Sequence, residues 1–308
     1  MERDVALGID VGGTAVKLGL VDGSGRLLAS DLLRTAKYAT FDEALESIEQ
    51  VAQALSAAAG AEPKAVGLGC AGLVGPEGRL LSSPNLPGWE GTDLASGIRD
   101  RFHLPAAALN DANAFVLAEA RVGAAAGRDP VVGLTLGTGV GGGLIVSGRL
   151  LTGARGFAGE IGHMVLDPGG PQCACGQRGC LEALVGTRAF IEGYSAAGGR
   201  APVGVTVDPP WIEKQARQGD PAALRVFEQV GYWLGTALIN LANLLDPEVF
   251  VLGGGLAKAG DLLFEPVRRR LKEGSMAAAQ PPAVLPARLG EKAGVVGAAL
   301  EALDVLGA

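Results

Sequence analysis

Apolar positions along this chain follow two alternating rhythms. Residues 5–10, 16–21 and 27–32 are short apolar runs separated by glycine-rich turns, and Asp22-Gly23-Ser24-Gly25 suits a hairpin between the second and third. The period then lengthens to that of a helix over 41–59. Ala44, Leu45, Ile48, Val51, Ala52 and Leu55 share one face there, and Gly60 stands where a C-cap belongs. Residues 65–70 read as a buried strand, 92–102 as a helix opening near Asp93, 106–109 as a short strand and 111–122 as a helix.

A second α/β pattern begins at 131–136, which pairs with 142–146 as another hairpin. Residues 154–180 are glycine-rich without a period, as expected of an irregular loop pinned by something other than a core. A long amphipathic helix is predicted over 221–245, a buried strand over 249–252, and helices over 262–272 and 293–306. The Gly/Ala-rich stretch 123–129 marks a boundary. The expectation is a small α/β domain over 1–122, to which a last helix of about 293–308 returns, and a larger one over 123–292. Both halves start as strand, glycine turn, strand, which suggests two related units around a cleft.

Composition sharpens this picture. The 308 residues are 48% hydrophobic and 19% charged, the profile of a globular rather than a disordered chain. A net charge of −7 argues against nucleic acid as a partner. No uncharged apolar run approaches the roughly 18 residues of a membrane span, and the first apolar stretch is too short for a signal sequence. With four cysteines there is no secreted disulfide scaffold, so a cytoplasmic protein is expected. Glycine is the outlier: 49 residues, where ordinary usage of about 7% gives roughly 22.

Part of that excess sits in three turns, each leaving an apolar strand. In Asp10-Val11-Gly12-Gly13-Thr14 the glycines let backbone N–H groups approach phosphate, Asp10 can organise hydrated Mg²⁺ and Thr14 can donate to an oxygen. An ordinary hairpin turn also suits this run. Lys17, just beyond, reaches a phosphate or is a solvated strand residue. The second turn holds Gly137, Thr138 and Gly139 and has five glycines in the seven positions 137–143. Each glycine costs about 0.5–1 kcal/mol in regular structure, which favours a phosphate-binding reason for them. The third is Gly253-Gly254-Gly255 before a helix, suited to an adenosine moiety or to close strand-to-helix packing.

A different chemistry collects further on. His163, Cys173, Cys175 and Cys180 put half the histidines and three of the four cysteines within 18 residues. Three thiolates and an imidazole complete a tetrahedral Zn²⁺ site with no open position, hence a structural one. A group of free thiols is the alternative. His103 reads as a surface residue and Cys70 as a small core residue. Asp111, in Asn110-Asp111-Ala112-Asn113, is placed where a strand hands over to a helix. It suits either a general base or helix-capping chemistry.

Together the three turns and the run Cys-x-Cys-Gly-x-x-Gly-Cys-x-Glu, from Cys173 to Glu182, resemble the ROK (repressor, open reading frame, kinase) family of the sugar-kinase, heat-shock-70 and actin superfamily. The resemblance spans the chain and implies two ribonuclease-H-like α/β domains that close on a sugar in an interdomain cleft. It implies ATP-dependent phosphorylation of a hexose at its 6-hydroxyl, with glucose favoured, as in glycolysis. Asp111 matches the catalytic base. Gly72, Asn85, Asn110, Glu160, His163 and Glu182 match sugar-binding positions. Asp10, Gly12, Gly13, Thr14, Lys17, Gly137, Thr138, Gly139, Gly254 and Gly255 serve the nucleotide. Asn85 by itself also suits a bare turn, and Glu160 and Glu182 solvated loop carboxylates. His163 would serve metal and sugar through different nitrogens. The implied cofactors are structural Zn²⁺ and Mg²⁺ with ATP, and the implied assembly is a homodimer or homotetramer. Fructose, N-acetylmannosamine and allose kinases and polyphosphate-using glucokinases remain open within the family. So does a non-catalytic sugar-sensing regulator, although only four residues precede the first predicted strand, too few for a helix-turn-helix domain.

Overall fold

The computed structural model of the chain describes residues 4–276 and 279–307. It divides into two compact units: Met1–Gly127 with Gly143–Gly159 and Arg288–Ala308, and Arg128–Gly142 with Glu160–Ala287. The N-terminal residues 1–3 lie outside the described part.

In the first unit β1 (Val5–Val11), β2 (Ala15–Asp22) and β3 (Leu27–Arg34) form a meander. The turn between β2 and β3 is tied by the buried Asp22, whose Oδ1 accepts from the Ser24 and Arg26 N–H groups at 2.9 and 3.1 Å. Helix α1 (Phe41–Ala59) follows, opened by a capping box of Thr40 and Glu43 and closed by Gly60 at φ 62°. Next come β4 (Ala65–Cys70), the hairpin of β5 (Leu73–Val74) and β6 (Leu80–Ser82), α2 (Leu94–Phe102), β7 (Ala106–Asn110) and α3 (Asp111–Val122). The sheet order is β3-β2-β1-β4-β7, with β4 parallel to both β1 and β7. His103 is exposed at the left-handed C-cap of α2, and Cys70 is buried in the core beside Leu68 and Ile9.

A second sheet has β8 (Val131–Leu136), β9 (Val140–Val146), β10 (Arg149–Leu150), β11 (Val249–Gly253) and β12 (Ala283–Pro286) in the order β10-β9-β8-β11-β12. Counted from its own first strand, this is the order of the first sheet. The sequence echo is therefore an echo of topology. The helices of the second unit are α4 (Leu181–Val185), α5 (Thr187–Ala196), α6 (Pro209–Arg217), α7 (Pro221–Leu245) and α8 (Asp261–Gly274). Residues 154–180 contain one 3₁₀ turn, Ile161–His163, and isolated bridges such as Val165 to Cys180.

The last helix, α9 (Ala293–Leu306), packs on β1, β4 and α3 in the first unit. Its sequence is apolar nearly all round, as expected of a helix enclosed on most sides. Small residues make the fit possible. A methyl group at Gly67 in β4 would overlap the Ala298 carbonyl, and one at Gly297 would overlap the Ala114 carbonyl of α3. These are backbone atoms that cannot swing aside. Gly67→Ala is expected to cost about 1–3 kcal/mol by overpacking, read as a lower thermal midpoint at unchanged substrate affinity.

Candidate active site residues

In the first unit, β1 delivers Asp10 to the start of the first glycine turn. Gly12 N–H donates to the Ala15 carbonyl at 3.0 Å, and the Thr35 hydroxyl donates to the Gly12 carbonyl at 2.7 Å, so the turn is held from within and from β3's end. Gly13 and Thr14 are exposed. Lys17 Nζ lies 4.0 Å from Asp10 Oδ2 and also donates to the Glu291 carbonyl at 3.4 Å. Burial pushes the Asp10 carboxyl up to about 6, with Lys17 opposing and the Asp111 charge adding to the rise. A methyl at Gly294, in the first turn of α9, would come within 2.6 Å of Asp10 Cγ, so glycine leaves that carboxylate its place.

Asp111 is the first residue of α3, and Asn110 is its N-cap. Asn110 Oδ1 accepts from Ala112 and Asn113 N–H at 2.9 and 3.1 Å. Its Nδ2 donates to the Gly72 carbonyl at 2.9 Å and to Asp111 Oδ1 at 3.1 Å. Asp111 Oδ1 also accepts from Ala112 N–H at 2.9 Å. Both bonds fall on Oδ1, and among the described residues no hydrogen bond is made to Oδ2. Burial raises the Asp111 pKa, the hydrogen bonds opposing it. Capping thus falls to Asn110, which leaves the Asp111 carboxylate free of that duty. Gly72, Asn110 and Asp111 form one linked group. Asn85 lies against the first turn, where a methyl at Gly13 would meet its Oδ1 at 3.3 Å.

In the second unit the 3₁₀ turn brings His163 to the thiols. Its Nδ1 lies 3.7 Å from Cys173 Sγ, and its Nε2 lies 3.9 Å from Glu160 Oε2. Cys175 and Cys180 are 3.6 Å apart at sulfur, and the four donor atoms lie within 4.8 Å of one another. Ligands at about 2.3 Å for S and 2.0–2.1 Å for N around a tetrahedral ion stand roughly 3.6–3.8 Å apart along each edge, so the cluster has metal-site dimensions. Without a cation, burial and the neighbouring thiols push Cys180 up to about 12 and Cys173 above its usual value, while backbone N–H donation lowers Cys175.

Glu182, in the first turn of α4, joins that cluster to the second glycine turn. Its Oε2 accepts from Val140 N–H at 3.0 Å and its Oε1 is 3.7 Å from Cys173 Sγ. Gly139 is glycine because a Cβ would overlap Glu182 Oε2. In Gly139→Ala the carboxylate is expected to leave the Val140 N–H. The lost charged hydrogen bond is expected to cost about 1.5–3 kcal/mol of stability, read as a lower thermal midpoint.

The second and third turns meet at one cavity of about 260 Å³, which Gly137 and Gly255 both line. Gly254, at φ 86°, packs on the end of β8, where a Cβ would overlap the Leu136 carbonyl. The Gly137 carbonyl accepts from the Thr187 N–H and hydroxyl at 3.0 and 3.1 Å, while Thr138 is exposed. Phe190, Pro209, Phe227 and Leu256 give the cavity apolar walls, and Glu213 lines it as well. Sequence reasoning missed these wall residues. Pro209-Pro210 after Asp208 signals a helix start, and isolated aromatics signal only a core.

Two α/β units with the same sheet order, each bearing glycine turns at strand ends, define the ribonuclease-H-like architecture shared by sugar kinases, actin and heat-shock-70 proteins. The chain belongs to the ROK family, whose model matches residues 6–305. It is 36% identical to a glucokinase of Thermotoga maritima over 95% of each chain. Among solved structures it is similar to a ROK hexokinase of Thermus thermophilus, with a TM-score of 0.85 and 37% identity over 99% of this chain and 100% of that one. A ROK glucokinase of Streptomyces griseus in complex with glucose and AMPPNP gives a TM-score of 0.83 and 35% identity, covering 97% of this chain and 99% of that one. Among the described residues no helix is long and apolar enough to cross a membrane.

Proposed function

We propose that the protein is an ATP-dependent glucokinase. The observation that carries this reading is the Gly72–Asn110–Asp111 group: a carboxylate fixed at a helix start, raised in pKa by burial and holding one oxygen open. Asp111 accepts the proton of the sugar 6-hydroxyl, and that oxygen forms the new bond to the γ-phosphorus as the bond to the β,γ-bridging oxygen breaks. ADP and glucose 6-phosphate result. On this reading the exposed Gly13 and Thr14 of the first turn, with the Lys17 ammonium, would meet the charge on the phosphates. Asp10 would hold the hydrated Mg²⁺ that accompanies ATP, which spreads the transferring group's charge.

His163, Cys173, Cys175 and Cys180 would hold Zn²⁺ as a structural ion. With Nδ1 committed there, the imidazole ring is fixed and Nε2 is left for a sugar hydroxyl beside Glu160. Neighbouring hydroxyls of a hexose suit the carboxylates Glu160 and Glu182, which accept from paired donors. The glucokinase relative crystallised with glucose and AMPPNP supports glucose as acceptor and an adenine nucleotide as donor. The test is turnover over glucose, fructose, mannose, N-acetylglucosamine, N-acetylmannosamine and allose, with ATP and polyphosphate as donors. Glucose with ATP should give the highest kcat/KM. A higher value for another sugar or for polyphosphate would replace this reading.

A further inference from the structure

We infer that Glu213 selects the base of the nucleotide donor, favouring a purine with an amino group at its 6-position. This rests on the kinase reading above and adds a determinant to the same site. The cavity shared by the second and third glycine turns is apolar on most sides, with Phe190 and Phe227 in an edge-to-face pair at 5.1 Å. Such walls accept any purine by stacking and burial and do not distinguish one from another. Selection must therefore come from the polar groups on the wall.

Thr187 is already spent on the Gly137 carbonyl. Glu213 projects from α6, and Arg217 one turn later holds it in place: Arg217 Nε donates to Glu213 Oε1 at 2.9 Å, and its second nitrogen donates to the Ala259 carbonyl at 2.9 Å. Both Arg217 nitrogens that approach Glu213 meet Oε1, so Oε2 remains an acceptor at the cavity wall. A carboxylate oxygen there pairs with the exocyclic amine of adenine. The 6-oxo group of hypoxanthine or guanine would instead face a like partial charge with no donor between them. Lys258, on the same wall, is a donor and of itself would favour the opposite choice. The inference is that the carboxylate, not the ammonium, meets the 6-position.

IDP tests this, because it differs from ADP only in the 6-position and the protonation of N1. Dissociation constants of ADP and IDP, measured by calorimetry on the intact enzyme, should differ at least tenfold in favour of ADP. In Glu213→Gln, whose amide can donate as well as accept, that ratio should fall to threefold or less, with glucose affinity unchanged. Arg217→Ala, which releases the carboxylate from its anchor, should bring the ratio to a value between those two. Equal binding of ADP and IDP by the wild-type protein overturns the proposal, and so does an ADP:IDP ratio that survives Glu213→Gln. Binding of neither nucleotide would overturn the kinase reading itself, and because binding is read without turnover the two failures are distinct.

Discussion

Asp111→Asn is expected to lower kcat by about 10²–10⁴-fold, the range that general-base catalysis supplies, and to leave glucose affinity within a few-fold of wild type. The geometry makes this substitution clean. The two hydrogen bonds on Asp111 come to Oδ1 from the Ala112 N–H and the Asn110 amide, and an amide oxygen accepts both equally well. The cap of α3 is made by Asn110, so the helix start survives. What disappears is a group able to take a proton. A pH profile adds a second readout. The base works when deprotonated, and burial raises its pKa above the usual carboxylate range. Wild-type kcat should therefore fall as pH drops through that raised value, sooner than for an ordinary aspartate. The residual rate of the variant should lack this limb. Near-normal turnover in Asp111→Asn, with the acid limb intact, would remove the base assignment.

Much of this was readable from the chain, and the omissions have physical causes. The strong periods located their elements closely: α1, α3, α7 and α9 begin and end where the apolar spacing does. Those helices are long, α1 and α7 with an apolar stripe and α3 and α9 apolar on most sides, so burial is written into the sequence. The structure starts β9 at Val140 rather than at 142, because glycines carry no apolar signal although they sit in a strand. The elements that went unread were β5, β6, β10, β12, α4, α5 and α6, none longer than ten residues. β12 is four residues ending on Pro286, and α6 opens on two prolines, so punctuation hid them. Residues with distinctive chemistry, such as the three thiols, were legible because few structural roles demand them. Glu213 and Phe190 were not, because a helix-surface glutamate and a core phenylalanine look alike wherever they occur. The pairing of Glu182 with the Val140 N–H was also out of reach, since 42 residues separate them and only the fold brings them together.

Cys175→Ser is expected to give the complementary kinetic picture: loss of bound zinc, a glucose KM raised about tenfold or more, and a smaller effect on kcat at saturating sugar. The choice of cysteine matters. Cys173 also contacts Glu182, so its replacement would disturb that proposed sugar ligand directly. Cys180 is fully buried and precedes α4, so its replacement would touch the core. Cys175 is exposed, and among these thiols its removal acts most purely through the metal. A serine hydroxyl does not ionise at neutral pH and is a poor substitute ligand, so the tetrahedral set falls to three. The His163 ring, no longer held through Nδ1, would then sample other orientations, and its Nε2 would lose its place beside Glu160. Losing an oriented charge-assisted hydrogen bond of about 1.5–3 kcal/mol corresponds to the tenfold or greater rise in KM. Zinc is measured by mass spectrometry on the purified protein, and glucose binding by calorimetry. Retention of stoichiometric zinc by the variant would show that Cys175 is not a ligand. Loss of zinc with unchanged glucose affinity would show that the cluster serves the loop alone. Asp111→Asn and Cys175→Ser are thus expected to part the two proposed roles: the first removes the proton acceptor and spares glucose affinity, the second loosens His163 and spares the chemistry.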